Sequence, residues 1–129
     1  MEARPTIDCY ASSIMVSDGK TTAREAEHLV DHGYRAIKIK VGQEPEVDAR
    51  RVHHVREIVG DDVRLMVDVN CNYDLTGATA FIRLIADANI SWVEEPVMPD
   101  DLPAYRRLAK SFPTIPLAAG ESEFTTAGF

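Results

Sequence analysis

Short apolar runs alternate along this chain with longer segments in which apolar residues recur every three or four positions. Short runs bounded by turn residues are typical of buried strands, and the longer periodic segments are typical of helices that pack on one face. The runs predict five strands, at residues 6–11, 36–41, 64–69, 91–95 and 116–120.

The helices between these strands have recognisable starts and ends. Proline suits the first turn of a helix, glycine often follows the last turn, and Thr or Asp is favoured as the N-cap residue. These signals predict a first helix over residues 22–32, ending at Gly33, and a second that begins at Pro45 and closes at Gly60. The remaining N-caps are predicted at Thr76 for the third helix, at Asp100 or Asp101 for the fourth, which starts near Pro103, and at Thr125 for a fifth helix that the chain barely begins.

The spacing of the strands predicts how they pair. Predicted strands two to five start 25 to 28 residues apart, with a single helix in each interval. Strands separated by single helices form parallel sheets with right-handed crossovers, which predicts an α/β fold with residues 1–129 as one domain. Both an open doubly wound sheet and a (β/α)₈ barrel satisfy this pattern, and the periodicity alone does not choose between them.

Composition narrows the class of protein. The 129 residues are 45% hydrophobic and 27% charged, which is ordinary for a soluble globular domain. A net charge of −7 argues against nucleic acid or an anionic membrane as a partner. Cys9 and Cys71 form no CxxC pair, and no signal peptide or spanning apolar run is present, so we expect a cytoplasmic protein without a disulfide framework.

Each of the last three predicted strands ends in an acidic residue, namely Asp68, Glu94 and Glu121, at intervals of 26 and 27 residues. An ionised carboxylate at a buried strand is costly unless it is paired or binds a metal. A single acid of this kind is more often a helix cap or a loop ion pair, but the regular recurrence favours one shared site. Three carboxylates suit Mg²⁺, which prefers oxygen ligands and keeps positions open for water and substrate.

The second predicted strand adds Lys38 and Lys40, which are two residues apart and therefore share a face. If Ile37, Ile39 and Val41 pack on the helices, both lysines face the barrel interior. Two close ammonium groups disfavour each other's charge, so we expect the pKa of one lysine to be lowered toward the range of a general base. The alternative is an edge strand with exposed lysines. The neighbouring carboxylates favour the catalytic interpretation.

The segments KIK, VDVN, WVEEP and AGES, in this order and spacing, resemble the enolase superfamily, specifically its mandelate racemase and muconate lactonizing branch. The resemblance implies the first five β/α units of a (β/α)₈ TIM-type barrel. It also implies that Asp68, Glu94 and Glu121 bind Mg²⁺, for which Mn²⁺ can substitute. By the same resemblance Lys40 is the base, Lys38 is its electrostatic neighbour, and Asn70 contacts the outer shell of the metal or the substrate.

The chemistry implied by the resemblance is Mg²⁺-dependent removal of the proton α to the carboxylate of a small acid, through an enediolate. The segment GESEFTTAGF resembles the sugar-acid dehydratases of the family more than its other groups, which implies dehydration of an acid sugar. Racemisation, epimerisation or cycloisomerisation is the alternative within the family. A doubly wound nucleotide-binding domain is disfavoured, because no GxGxxG or GxxxxGK follows any predicted strand.

The length of the chain suggests a second hypothesis about its function. Five residues precede the first predicted strand, and a full barrel takes roughly 250 residues. We therefore expect the family's N-terminal capping domain and the last three β/α units to be absent. A catalytically incomplete metal-binding fragment is the alternative of a different class, and its open sheet edges predict a homo-oligomer.

Four other side chains receive structural interpretations. Glu95 alternates to the face opposite Glu94 and is expected to be structural, paired with an arginine. Trp92 shares the face of Glu94 and is expected to fill the barrel core. His28 and His32 have a spacing that can bind zinc, but their polar helix face favours a solvated pair.

Overall fold

A computed structural model describes residues 6–126 of the chain, and in it strands and helices alternate throughout. The elements are β1 (Ala11–Ile14), α1 (Gly19–Asp31), β2 (Ala36–Lys40), α2 (Pro45–Val59), β3 (Arg64–Asp68), α3 (Leu75–Leu84), β4 (Ile90–Glu94), α4 (Leu102–Ser111) and β5 (Leu117–Ala118). Among these elements, no helix combines the length and the apolar character needed to cross a bilayer.

All five strands are parallel and lie in one sheet in the order β1-β2-β3-β4-β5. A doubly wound sheet reverses its strand order at a switch point, whereas a barrel adds each new strand on the same side. The unreversed order is therefore that of a barrel sector. The predicted α/β class and partial barrel are confirmed, with five parallel strands and four helices between them in the described residues.

The core lies between the helices and one face of this sheet. Ile37 and Ile39 of β2 are fully buried, as are Val52 of α2 and Phe81 of α3. The other face of the sheet carries Lys38 and Lys40, with Met66 and Asp68 in register on β3, because side chains alternate along a strand. Because Ile37 and Ile39 are buried against the helices, Lys38 and the residue paired with it on β3 point to the opposite face.

The first strand was predicted wrongly. It covers Ala11–Ile14 instead of residues 6–11, and its pairing with β2 places Ala11 opposite Ile37 and Ile14 opposite Ile39. Ile14 is 1% exposed, whereas Ile7 is 92% exposed. Both isoleucines lie in short apolar runs, so local periodicity could not show which run enters the sheet.

Several element boundaries also differ from the predictions. Helix α1 starts earlier, at Gly19, because the side chain of Asp18 accepts hydrogen bonds from the first-turn amides. Helix α3 is capped by Asp74 and not by Thr76, and Asp101 is the cap of α4. Strand β5 is only two residues long. The body of the predicted fifth helix after Thr125 falls on residues 127–129, outside the described residues.

The second helix was placed correctly. It runs from Pro45 to Val59, and Gly60 follows as the C-cap residue with a φ of 73°. This backbone conformation favours glycine, because side chains with a Cβ adopt it rarely. The proline and glycine signals therefore marked both ends of this helix.

Candidate metal centre

The register of the sheet brings chemically reactive side chains into one row. Lys40 is paired with Asp68 across β2 and β3, and Asp68 is paired with Glu94 across β3 and β4. Residues opposite each other in a parallel sheet point to the same face. The row lies at the carboxyl ends of the strands, where barrels of this type hold their active sites.

The three predicted metal ligands converge at this end of the sheet. Asp68, Glu94 and Glu121 each offer a carboxylate oxygen, and these oxygens all lie within 4.8 Å of one another. Asp68 is fully buried, the Glu94 side chain is 14% exposed, and Glu121 is exposed. The cluster therefore has a buried floor and an open side. Three carboxylates around an open position are a donor set that fits a hard divalent cation.

Both predicted lysines point into the same cluster. The Nζ atom of Lys38 lies 2.7 Å from Glu94 Oε1 and 3.2 Å from Asp68 Oδ2. The Nζ atom of Lys40 lies 2.7 Å from the same Asp68 Oδ2. The alternative of an exposed edge strand is wrong, because β2 lies between β1 and β3.

The charges around Lys38 act against the expected lowering of a lysine pKa. Burial favours the neutral amine, but hydrogen bonds and charge attraction from Glu94 and Asp68 outweigh burial and raise the pKa of Lys38. The predicted lowering of the pKa of one lysine is therefore not found at Lys38. The Lys38 ammonium group lies within 3.2 Å of two carboxylates, and their negative charges favour its protonated form.

Asn70 links the two sides of the cluster. Its Oδ1 accepts a hydrogen bond from Lys40 at 2.6 Å, and its Nδ2 donates to Glu121 at 3.0 Å. Its backbone N–H donates to Asp68 Oδ1 at 3.1 Å. Asn70 has a φ of 49°, a conformation that Asn tolerates better than most residues. The predicted outer-shell residue thus contacts one lysine and two of the three carboxylates.

Trp92 makes a contact that the sequence analysis missed. It lies half-buried on the cluster side of β4, and its indole N–H donates to Glu94 Oε2 at 3.0 Å. Tyr10 meets the Trp92 ring edge to face, with 5.6 Å between the ring centroids. The i, i+2 spacing of Trp92 and Glu94 on one strand was the available signal for this contact.

Glu95 was predicted to be structural and paired with an arginine. It is 1% exposed, and its Oε2 accepts a hydrogen bond from Cys71 Sγ at 3.4 Å. Its Oε1 is buried without a hydrogen-bond partner among the residues that the structure describes, so the arginine pairing is wrong for that part of the chain. Burial, together with the hydrogen bond and charge of Glu95, raises the pKa of Cys71 to about 11.

A second buried network fixes the loops beside the cluster. Asp48 of α2 is fully buried, and its Oδ2 accepts hydrogen bonds from the backbone amides of Gly42 and Gln43 and from the Tyr73 hydroxyl. Its Oδ1 accepts from Arg51 at 2.6 Å. Asp48 therefore ties the loop after β2 to the loop after β3. In the sequence it resembles an ordinary acid in the first turn of a helix.

Two further features lie away from the carboxylates. A cavity of about 820 Å³ lies between the N-terminal ends of α1 and α2, next to Lys20 and Arg50. The cavity is distinct from the carboxylate cluster. His28 and His32 are exposed, as predicted, and their ring centroids are 4.1 Å apart.

Comparison with known proteins gives a consistent result. Residues 21–129 match the family described as "Enolase C-terminal domain-like". The chain is 37% identical over 123 residues to D-galactarolactone cycloisomerase from Agrobacterium fabrum, covering 92% of the chain and 32% of the relative. It is 34% identical over 109 residues to an N-succinyl-L-Arg/Lys racemase from Bacillus cereus, covering 84% and 29%. It is also 34% identical over 102 residues to arabinonate dehydratase from Saccharolobus solfataricus, covering 78% and 27%.

Solved structures agree with this relationship. A member of the enolase superfamily from Polaromonas sp. JS666 superposes with a TM-score of 0.91 at 34% identity, over 95% of this chain and 33% of that one. A racemase from Streptomyces coelicolor A3(2) with bound magnesium superposes with a TM-score of 0.80 at 34% identity, over 89% and 32%. The chain spans less than a third of the length of each curated relative described above.

Proposed function

The chain belongs to the enolase C-terminal domain-like family, and on that premise we propose that it carries the metal-binding part of an active site that removes a proton α to a carboxylate. The proposal rests on one row of side chains at the end of the sheet. In this row Lys40 lies beside Asp68 and Asp68 beside Glu94, and the carboxylate of Glu121 comes close to the other two. It combines a candidate base with a candidate cation site at one end of the sheet.

Asp68, Glu94 and Glu121 would hold Mg²⁺, or Mn²⁺ in its place. When bound, the ion supplies positive charge that stabilises the second negative charge developing on a substrate carboxylate. The protein groups favour a cation here, because three carboxylates face two ammonium groups and leave one formal negative charge. The magnesium bound to the Streptomyces coelicolor racemase supports this assignment.

Lys40 is the proposed base. In its neutral form its Nζ would accept the α-proton, and Asn70 Oδ1, 2.6 Å away, orients that nitrogen. Lys38 holds Glu94 and Asp68 together through contacts of 2.7 and 3.2 Å and keeps a positive charge beside them. The two lysines therefore take different roles: one moves a proton and the other fixes ligands.

For the net reaction we propose dehydration of an acid sugar. Removal of an α-proton is a step that a dehydratase, a racemase and a cycloisomerase can share, so the cluster alone supports all three. The arabinonate dehydratase relative supports dehydration of a sugar acid. The galactarolactone cycloisomerase relative favours cycloisomerisation as the second candidate, and the racemase relative keeps racemisation or epimerisation as a third.

A different class of function is a metal-binding fragment that self-associates. Among the described strands, β1 and β5 each pair with a single neighbour, and open strand edges invite pairing with another chain. In this case the three carboxylates bind the metal without turnover. Sedimentation of the chain with and without Mn²⁺ measures such an assembly directly.

Hydrogen exchange at the α-carbon tests the proposal. Sugar acids are incubated with the chain in D₂O and Mg²⁺, and deuterium incorporation is followed by NMR. We expect incorporation by the native chain and by the Lys110→Ala control, whose lysine is exposed on α4, but none by Lys40→Ala. Mn²⁺ binding without any exchange would support the metal-binding fragment, and equal exchange by Lys40→Ala would contradict the assignment of the base.

A further inference from the structure

The carboxylate of Glu94 is held by donors on two different strands. Its Oε1 accepts from Lys38 of β2 at 2.7 Å, and its Oε2 accepts from the indole N–H of Trp92 at 3.0 Å. Trp92 and Glu94 are two residues apart on β4, so both side chains project to the same face. The indole nitrogen donates one hydrogen bond and accepts none, so it orients the Glu94 oxygen and cannot itself bind a cation.

Tyr10 contacts both of these donors. Its ring meets Trp92 edge to face, with an interplanar angle of 83°, and Lys38 Nζ lies 5.6 Å from its centroid. Edge-to-face aromatic pairs and an ammonium group over an aromatic ring are both favourable arrangements. Tyr10 therefore packs against the indole and lies near the ammonium group that holds the other oxygen of Glu94.

We propose that Trp92 is a positioning residue for the metal centre, which rests on the proposed function above. Its indole N–H holds Oε2 of Glu94 while Lys38 holds Oε1, so the two donors would fix the plane of the carboxylate that faces the cation. Each carboxylate oxygen has two lone pairs, so each can accept one of these hydrogen bonds and still have a lone pair for a cation. Mg²⁺ demands near-ideal geometry from its ligands, so a carboxylate whose plane is fixed in advance would favour its binding.

Trp92 is the only tryptophan in the sequence, so replacing tryptophan throughout the protein changes this residue alone. Biosynthetic replacement of tryptophan by benzothienylalanine removes the N–H and keeps the bicyclic ring. Replacement by 5-fluorotryptophan keeps the N–H and serves as the matched control. Far-UV circular dichroism of both proteins checks that the fold is retained.

The dissociation constant for Mn²⁺ is measured from the signal of free Mn²⁺ in electron paramagnetic resonance. We expect about tenfold weaker binding for the benzothienyl protein and little change for the fluorotryptophan protein, because loss of a group that orients a metal ligand costs on the order of 10- to 100-fold in affinity. Equal Mn²⁺ affinity of all three proteins would overturn the positioning role of Trp92 but not the proposed metal centre. A native chain that binds no Mn²⁺ would overturn both proposals.

The metal-free chain gives a second readout. Its single indole ¹⁵N–H resonance reports directly on the hydrogen bond to Glu94. If the Trp92 ring only filled space, this resonance would not depend on the Glu94 carboxylate. We expect Glu94→Gln to shift this resonance and to speed its exchange with water. A resonance that is unchanged in Glu94→Gln would overturn the proposal.

Discussion

Lys40 and Asp68 are paired twice, once by backbone register and once by a side-chain contact. They occupy facing positions on β2 and β3, and Lys40 Nζ lies 2.7 Å from Asp68 Oδ2. The sheet itself therefore sets the distance between the proposed base and the most buried of the proposed metal ligands. A change in strand register would separate them, so the geometry of this pair depends on the packing of the whole sheet.

The first prediction concerns Lys40. Lys40→Met removes a positive charge from beside the carboxylates while keeping an unbranched side chain. We expect α-proton exchange to be lost and Mn²⁺ binding to become at least about fivefold tighter, because a unit charge a few ångströms away opposes a cation by roughly 1–4 kcal/mol. Isothermal titration calorimetry measures the affinity, with Lys110→Met as the control. Weaker Mn²⁺ binding by Lys40→Met would contradict the placement of this lysine beside the cation site.

The second prediction concerns the loop after β2. Gly42 has a φ of 112°, and a Cβ added there would lie 2.6 Å from the carbonyl oxygen of Val69. We expect Gly42→Ala to lower the free energy of unfolding by about 3 kcal/mol, since backbone strain and a steric clash add together. The measurement is urea denaturation.

Gly33→Ala is the matched control for that experiment. Gly33 has a φ of 94°, but an added Cβ would meet nothing within 4 Å. Only the backbone strain applies, so we expect a loss of about 1–2 kcal/mol. Equal losses in the two variants would mean that the loop after β2 does not pack closely against Val69.

The third prediction concerns stability at high pH. Burial raises the pKa of Tyr105 to about 12 from an ordinary value of 10.0, with smaller contributions from the charges of Cys71 and Glu95. A raised native pKa means that the unfolded chain loses its proton first. This contribution to stability is therefore complete below pH 10 and is lost as the pH rises toward 12.

Urea denaturation at pH 8, 10 and 11 measures this effect. We expect the free energy of unfolding to fall over this range in the native chain and to fall less steeply in Tyr105→Phe. Tyr34→Phe is the control, because Tyr34 is 37% exposed. An identical slope in Tyr105→Phe and the native chain would show that Tyr105 is not shielded from water as described.

Most of the candidate site could be predicted from the sequence, for a specific physical reason. Side-chain alternation fixes which residues of a strand share a face, and a regular interval between strands fixes which strand ends meet. Asp68 and Glu94 at the ends of β3 and β4 follow from these two rules alone. The resemblance to a family then gave each of these residues a proposed role.

What could not be predicted depends on contacts between distant segments. Ile7 and Ile14 are alike in local pattern, and only pairing with β2 selects Ile14 for the sheet. Asp48 looks like a helix-start acid, yet it is buried against Tyr73, which lies 25 residues further along the chain. The raised pKa of Lys38 likewise depends on Glu94, which lies two strands away.

The decisive measurement for the proposed metal centre is the binding of Mn²⁺ to the native chain and to Asp68→Asn. We predict one bound Mn²⁺ per native chain by electron paramagnetic resonance, and at least about 100-fold weaker binding in Asp68→Asn, because a buried anionic ligand is lost. Asp62→Asn, at an exposed position, should bind Mn²⁺ like the native chain. Equal Mn²⁺ affinity in Asp68→Asn and Asp62→Asn would contradict the metal centre.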